Sequence, residues 1–286
     1  MSPQPPILIL HATGTNRDRE AAWACELAGG KAEIVHINRL FAGERRLADY
    51  RMLVLPGGFS YGDDLGAGKL WAVALRYRLG DDLTAFIASG WPVLGICNGF
   101  QVLVKAGVLQ GAEGRSQGSG VRERGCALIP DPCSLFPDPR PLTPVFTLTR
   151  NDSARFECRW VYLAPQPDSP CIFTRGLMEP IYCPVAHGEG KFVARDAEAL
   201  AALEAAGLAA LRYSGPDGAT AVYPWNPNGS QNAIAGICNP QGNVLGLMPH
   251  PEDHIIPEQH SHYHHGERGL TGLSLFRNGV KYATEL

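Results

Sequence analysis

One cysteine lies at a predicted strand-to-helix turn, a position that suits a nucleophile. Cys97 stands in Gly-Ile-Cys-Asn-Gly (95–99), after an apolar run and before a helical pattern. The unpaired N–H groups and the dipole of a helix N-terminus favour a thiolate and can lower a cysteine pKa from ~8.5 to roughly 3.5–7.5. In such a turn the backbone N–H of Asn98 faces the space beside the thiol, where it is available to donate to an oxyanion. Taken alone, the pentapeptide predicts a nucleophile and a buried structural cysteine about equally well.

A histidine and a carboxylate follow a second predicted strand. The apolar run 244–248 leads into Pro-His-Pro-Glu, so that His250 and Glu252 are two residues apart in a stretch restrained by two prolines. Side chains two residues apart on extended backbone project to the same side. If the two strands are close in the sheet, this pair meets Cys97 and completes a Cys-His-Glu triad. A lone histidine at a strand end is more often structural, but H-P-E together with the cysteine turn favours catalysis.

Paired glycines follow a third predicted strand. Gly57 and Gly58 stand in Leu-Pro-Gly-Gly-Phe-Ser-Tyr-Gly-Asp (55–63). Such a pair lets the backbone turn its N–H groups outward, which makes the loop a second candidate oxyanion donor opposite Asn98. Neither G-x-G-x-x-G nor a Walker lysine occurs here, so the pattern does not predict a phosphate-binding loop. An ordinary β-turn remains the alternative.

These three turns need a parallel sheet to bring them together. Continuous apolar runs alternate with helical patterns over the first 107 residues, and such runs suit strands covered by helices on both faces. The alternation predicts a doubly wound α/β fold with a mostly parallel sheet, whose ligands bind at the carboxyl ends of the strands. The predicted strands are 7–10, 32–37, 52–55 and 92–96, and the predicted helices are 18–28, 70–79, 83–89 and 100–106.

The middle of the chain, residues 111–144, is rich in Gly, Ser and Pro. This composition suits either a domain linker or an excursion over the surface. We favour an insertion in a single domain spanning residues 1–286, because the candidate triad draws on both sides of the stretch. Added β segments are predicted at 145–148, 156–163, 181–185, 235–238 and 244–248, and helices at 196–206 and 270–278.

Composition excludes several classes of function. With a net charge of −3 and no basic run, the 286-residue chain lacks the positive field that nucleic-acid binding requires. The eight cysteines form no C-x-x-C pair, which is typical of reduced thiols in a cytosolic protein. No apolar stretch approaches the ~20 residues of a membrane span, and the N-terminus lacks the features of a signal peptide. We therefore expect a cytoplasmic protein without membrane or nucleic-acid partners.

Four collinear motifs resemble the class I (triad-type) glutamine amidotransferases, and among them the glutaminase components of phosphoribosylformylglycinamidine synthase. The motifs cover nearly the whole chain, and GGFSYGD, CNGFQ and PVAHGEG distinguish this branch from other triad glutaminases. The resemblance implies a flavodoxin-like sheet of class I amidotransferase architecture. The four motifs are LPGGFSYGD (55–63), PVLGICNGFQ (92–101), PVAHGEGKF (184–192) and the run from NPNGS (226–230) through NVLGLMPHPE (243–252).

The resemblance assigns roles to individual residues. Cys97 matches the nucleophile, His250 the base and Glu252 the third member of the triad. Gly58, beside Gly57, and the Asn98 backbone match the oxyanion hole, and Gln101 lies in the glutamine-pocket segment. His187 and Glu189 match a segment near the glutaminase site and the synthetase interface, where a turn with satisfied polar side chains is an equally good interpretation.

The implied reaction is hydrolysis of glutamine to glutamate and ammonia through a glutamyl thioester, in de novo purine biosynthesis. The expected partners are L-glutamine as substrate, a separate ATP-dependent synthetase subunit that receives the ammonia, and a small accessory subunit. The resemblance implies no cofactor in this chain, since ATP and Mg²⁺ belong to the synthetase.

The chain departs from the family pattern in two places. An Arg typically follows the YGD segment, whereas Gly66 stands in its place here, which puts partner docking or activation there in doubt. After H-P-E the family usually has Arg, whereas this chain has Asp253. The segment 151–160 resembles the glutaminase domain of the long, fused form of the enzyme, and we expect a separate subunit that kept features of that form.

Two competing interpretations concern a metal site and a different enzyme. The histidines between positions 254 and 265 could bind Zn²⁺, but they lack Cys or paired-carboxylate spacing, so we expect a solvated loop and no metal. A cysteine-elbow hydrolase, or a glutaminase serving a different acceptor pathway, is the alternative function. Hydrolases of that kind commonly take their base from just after the cysteine and do not need H-P-E near the C-terminus.

Overall fold

Short, fully apolar runs form the centre of a nine-stranded sheet in the computed structural model, which describes residues 4–110, 145–219, 221–267 and 270–286. Every residue of the strands that precede the three predicted turns is buried, as expected for strands covered on both faces. The strands are β1 Pro6–His11, β2 Lys31–His36, β3 Met52–Leu55, β4 Val93–Ile96, β5 Phe146–Thr149, β6 Glu157–Pro165, β7 Ile181–His187, β8 Lys191–Ala194, β9 Ala209–Ser214, β10 Ile234–Cys238 and β11 Val244–Leu247.

The sheet has a parallel part and an antiparallel part. Its order is β2-β1-β3-β4-β11-β10-β9-β6-β7, and β5 pairs with β8 in a separate two-stranded sheet. The pairs from β2 to β11 are parallel, and those from β11 to β7 are antiparallel. The predicted doubly wound α/β fold with added β segments is confirmed.

Strand β11 sits directly beside β4, although the two are far apart in the chain. The pairing is parallel, with Gly95 opposite Gly246 and Ile96 opposite Leu247. The residues that follow the two strands therefore emerge at the same edge of the sheet. Strands from both sides of residues 111–144 thus share one sheet, while the predicted insertion itself lies outside the described residues.

Helices cover the sheet in two groups. Helices α1 and α7 contact each other, and α3 contacts both α4 and α5. Residues 98–104 of α5 are all buried, so this helix lies in the interior. The helices are α1 Asp18–Leu27, α2 Ile37–Phe41, α3 Lys69–Arg78, α4 Gly80–Ala88, α5 Asn98–Lys105, α6 Ala197–Ala205 and α7 Leu273–Glu285.

Several predicted boundaries were wrong. The last helix was expected over 270–278 but begins at Leu273 and continues to Glu285, because buried side chains recur along its whole length and pack on the sheet. Strands β8 and β9 were not predicted at all. Within the described residues, no helix has the length and apolar character needed to cross a membrane.

The packing of α7 yields a stability prediction. Leu275 is fully buried in the core, whereas 63% of Leu65 is exposed. We expect Leu275→Ala to lower the free energy of unfolding by about 2–5 kcal/mol, because it removes buried methyl groups and leaves a cavity. Leu65→Ala should change it by less than ~0.5 kcal/mol. Equal denaturation midpoints for the two variants would contradict this placement of α7.

Candidate functional site

Cys97 forms a sharp turn between β4 and α5. Its backbone has φ 50° and ψ −105°, a left-handed conformation that costs a non-glycine residue of order 1–3 kcal/mol. The Cys97 N–H donates to the Leu247 carbonyl at 2.8 Å, and its own carbonyl accepts from the Gln101 N–H at 3.1 Å. The turn is therefore fixed both to the neighbouring strand and to the first turn of the helix.

The two glycines around Cys97 are required by close packing. A Cβ on Gly99 would overlap the backbone carbonyl oxygen of Leu55, so the first turn of α5 rests directly on β3. A Cβ on Gly95 would lie 2.5 Å from the Leu103 side chain and 2.8 Å from the Gly99 carbonyl oxygen. The spacing G-x-C-x-G thus follows from the contact of helix with sheet.

His250 and Glu252 form a buried pair beside this turn. Nδ1 of His250 lies 2.7 Å from Oε1 of Glu252, and the His250 N–H donates to the Pro184 carbonyl of β7 at 2.8 Å. Burial by itself would lower the pKa of His250, but the Glu252 carboxylate and the Cys97 sulfur outweigh it and raise that pKa well above its usual value. Nε2, the nitrogen left for Cys97, has no conventional hydrogen-bond partner among the described residues.

The geometry therefore favours an imidazolium beside the sulfur. A protonated His250 stabilises a neighbouring thiolate, and the Glu252 carboxylate fixes the orientation of the ring. The structure brings together the three residues that the sequence predicts as a triad.

The glycine loop after β3 packs against the loop between β1 and α1. The residues on either side of Gly58 make the hydrogen bonds: the Gly57 carbonyl accepts from the Asn16 N–H, and the next N–H, that of residue 59, donates to the Gly14 carbonyl. The N–H of Gly58 itself takes no part in this pairing. Gly58 has φ 144°, and an added Cβ would lie 2.8 Å from the backbone of this loop. A Cβ on Gly57 would lie 2.6 Å from Cε1 of His250 and 3.5 Å from Cβ of Cys97. Both positions thus need glycine, and the loop lies against the triad.

Polar side chains join this loop to α5. Oδ1 of Asn98 accepts from the Ser60 hydroxyl at 2.6 Å, and Nδ2 of Asn98 donates to Asp63 at 3.2 Å and to Oε1 of Gln101 at 3.1 Å. The Gln101 amide also donates to the Glu189 carbonyl at 2.6 Å. The side-chain amide of Gln101 is therefore engaged within the protein, and its contact with glutamine stays a prediction.

His187 and Glu189 differ in their surroundings. His187 is buried, and its ring nitrogens have no hydrogen-bond partner among the described residues. Burial, with the neighbouring His250 charge, lowers its pKa to about 3, so the ring is neutral at physiological pH. The Glu189 carboxylate accepts from the Ala67 N–H at 3.4 Å. Direct contact of either residue with substrate stays a prediction.

Three residues at the site were not singled out from the sequence. Ser60 and Asp63 hold Asn98, and their place in the glycine-loop motif was the available signal. Arg17 lies near Asp253, with Nε 3.3 Å from Oδ2. Nothing in the local sequence around either residue indicates this contact.

The histidine-rich segment differs from the expected solvated loop. His254 and His260 are buried, and their rings pack with Trp160 and Tyr182. Nδ1 of His254 is 2.5 Å from the Tyr182 carbonyl oxygen. The prediction was wrong for these two because their aromatic partners come from β6 and β7, whereas His262, His264 and His265 are not buried.

Among the described residues, the potential ligand atoms of His250, Glu252 and Asp253 lie within 4.8 Å of one another, as in a metal site. His250 and Glu252 are already bonded to each other, which fits a triad better than a pair of free ligands. The expectation that this chain binds no metal stays a prediction.

Comparison with known proteins now decides the family. A family model for the CobB/CobQ-like glutamine amidotransferase domain matches residues 4–283. The phosphoribosylformylglycinamidine synthase subunit PurQ of Treponema denticola is 46% identical over 98% of this chain and 99% of its own length. The chain belongs to the PurQ family. The predicted family and enzyme class are confirmed, and a cysteine-elbow hydrolase outside the amidotransferases is set aside.

Further relatives support the assignment to the PurQ family. The PurQ subunit of Dehalococcoides mccartyi is 41% identical over 98% of each chain. Human phosphoribosylformylglycinamidine synthase is 38% identical over 90% of this chain, which corresponds to 18% of the human protein. In a structure of PurLQS from Thermotoga maritima, one chain has a TM-score of 0.66 and 29% identity, covering 98% of this chain and 99% of that one.

The His250–Glu252 pair yields a testable pH effect. Glu252→Gln removes a charge that raises the His250 pKa. The pKa then falls, so the imidazolium that supports the thiolate loses its proton at a lower pH than in the wild type. We expect alkylation of Cys97 by iodoacetamide at pH 6.5 to slow by about tenfold or more, since one pKa unit changes the charged fraction about tenfold.

A Cys158→Ala background removes the thiol that is exposed among the described residues, and Glu258→Gln serves as the matched surface control. An unchanged rate in Glu252→Gln, with the control also unchanged, would show that this carboxylate does not set the charge of His250.

Proposed function

We propose that this chain hydrolyses glutamine through Cys97, His250 and Glu252 and supplies the ammonia to a phosphoribosylformylglycinamidine synthetase subunit. The observation that carries the proposal is the 2.7 Å contact between His250 and Glu252 beside the left-handed Cys97 turn. This arrangement provides a nucleophile, a base and a group that orients the base. Membership of the PurQ family supports glutamine as the substrate.

The first half of the reaction forms a thioester. The Cys97 thiolate attacks the side-chain carbonyl carbon of glutamine, and the carbonyl oxygen becomes an oxyanion. Its proposed donors are the N–H groups of Gly58 and Asn98, which need no rearrangement because both loops are fixed by hydrogen bonds. The His250 imidazolium then protonates the departing nitrogen, and ammonia leaves.

The second half regenerates the thiolate. Neutral His250 takes a proton from water, the hydroxide adds to the thioester, and the tetrahedral intermediate collapses to glutamate and Cys97 thiolate. Glu252 stabilises the imidazolium in both halves through Nδ1 and does not itself transfer a proton. One histidine therefore serves as acid and then as base.

Gln101, His187 and Glu189 complete the proposed glutamine pocket. Gln101 and Glu189 join α5 to the segment after β7 through the amide-to-carbonyl bond, and we propose that they shape the pocket through this bond. His187 is an uncharged ring whose pKa is lowered by burial and by the His250 charge. Its neutrality avoids repulsion with the His250 imidazolium, because two adjacent cations in a buried site would disfavour each other.

The synthetase is the proposed partner. The PurLQS structure from Thermotoga maritima contains a chain similar to this one, which supports assembly with a synthetase and with a small accessory subunit. ATP and Mg²⁺ are proposed to bind the synthetase, and no cofactor is proposed for this chain. The segment around Gly66, where the family arginine is replaced, is the proposed place for a difference in partner contact.

A cytoplasmic location is part of the proposal. Cys25, Cys97, Cys158, Cys171, Cys183 and Cys238 are free thiols. Such usage is typical of a reducing compartment.

Replacement of the nucleophile tests the proposed function. In complex with the synthetase, Cys97→Ala should lower glutamine-dependent product formation by roughly 10⁴-fold or more, because the thioester cannot form. Synthesis with added ammonium salts should persist, since ammonia then bypasses the glutaminase site. Cys158→Ala is the matched control for loss of a cysteine. Glutamine-dependent synthesis at the wild-type rate in Cys97→Ala would refute the proposal.

Crowding His250 provides a second test. Gly57→Ala places a Cβ 2.6 Å from the His250 ring, so the ring must shift from its position. We expect glutamate release to fall by about 100-fold, since a displacement of about 1 Å can cost that much. Gly80→Ala, with no neighbour within 4 Å of the added atom, should retain wild-type activity. Full activity in Gly57→Ala would contradict the contact between glycine loop and base.

A further inference from the structure

Arg17 contacts both loops that build the glutaminase site. Its backbone N–H donates to the Gly57 carbonyl at 3.3 Å, beside the proposed oxyanion donor. Its side-chain Nε lies 3.3 Å from Oδ2 of Asp253, the residue that follows Glu252. One residue at the start of α1 thus joins the glycine loop to the turn that carries the triad carboxylate.

The Arg17 contact adds to the bonds that hold the turn of Glu252. Glu252 is fully buried, one of its oxygens bonds His250, and the other has no partner among the described residues. The turn 251–253 is closed within itself by the Asp253 N–H, which donates to the His250 carbonyl at 3.2 Å. The contact between Asp253 and Arg17 is therefore a direct restraint on the position of this turn relative to the glycine loop.

We propose that the Arg17–Asp253 ion pair is a positioning device that sets His250 relative to Cys97. The proposal rests on the proposed glutaminase function and deepens it. An added Cβ on Gly57 would meet both the His250 ring and Cβ of Cys97, so little space separates the glycine loop from either residue. A fixed separation between Gly57 and the turn of Glu252 therefore holds the imidazole beside the sulfur. Loss of the pair loosens this alignment and lowers the rate of the chemical step.

The pair also depends on pH. Burial and the Glu252 charge, together with a contribution from Glu20 on α1, raise the pKa of Asp253 to about 6 against the opposing effect of His250 and Arg17. Among the described residues, these are the charged groups that act most strongly on Asp253. As pH falls through about 6, Asp253 gains a proton, the attraction to Arg17 is lost, and the alignment weakens. The pair thus adds its own acid limb to the pH profile.

A structural ion pair is the competing interpretation. The two side chains are 38% and 21% exposed, and pairs of this exposure contribute little to global stability. Activity and thermal stability should therefore respond differently if the pair positions the base, and together if it only supports the fold.

The test uses the complex with the synthetase and measures glutamate release from pH 5 to pH 9. Asp253→Asn should lower kcat about tenfold at pH 8, leave KM within about twofold, and remove the inflection near pH 6. Arg17→Gln should give the same loss. The double variant should be no worse than either single change, because the two residues act as one pair. The charge-exchanged variant Arg17→Asp/Asp253→Arg and the conservative Asp253→Glu should recover part of the loss.

Asp49→Asn serves as the matched control, because it removes a carboxylate from an ion pair with Arg46 that is remote from the site. A wild-type kcat and pH profile in Asp253→Asn would overturn the proposal. So would a loss of activity that follows a fall in Tm across all variants, Asp253→Glu included. A wild-type complex without Cys97-dependent glutamate release would contradict the proposed function itself. The positioning role of the Arg17–Asp253 pair, which rests on that function, would fail with it.

Discussion

The left-handed backbone of Cys97 is the constraint on which the arrangement of the site depends. An unfavourable conformation persists only where the surroundings fix it from several sides, and here β11 holds the N–H while α5 holds the carbonyl. The helix can do so because it rests on β3 through Gly99, with no space for a side chain between them. The order of the strands matters for the same reason, since β11 supplies both the anchor of the nucleophile and the chain that leads to the base.

Positive charge in the site is confined to one of two buried imidazoles. His187 and His250 are both buried, yet the pKa of His187 is lowered to about 3 while that of His250 is raised. The difference comes from the Glu252 carboxylate and the Cys97 sulfur, which both raise the pKa of His250. The proton therefore resides on His250, beside the Glu252 carboxylate and the Cys97 sulfur.

The sequence was informative wherever chemistry and strand pattern coincided. Continuous apolar runs predicted the parallel strands, and a polar motif at the end of each run predicted the three parts of the site. The antiparallel part was harder, because β9 contains Ala, Arg and Ser, and its strand conformation is set by pairing with β6 and β10. Where a motif marks both segments, as in the triad, a contact between distant parts of the chain was predictable. The burial of His254 and the approach of Arg17 to Asp253 have no such motif and were not predictable.

Strand β7 ends the sheet, four strands away from β11, and yet it borders the triad. Its Pro184 carbonyl accepts from the His250 N–H, and its Ala186 carbonyl lies 3.8 Å from the Cys97 sulfur. A sheet whose terminal strand returns to its own middle is strongly curved, in the direction of a partly closed barrel. The antiparallel part of the sheet therefore contacts the reaction centre through its last strand, β7. A change in the curvature of the antiparallel part, even one that begins far from the site, would therefore alter the distance between β7 and the Cys97 sulfur.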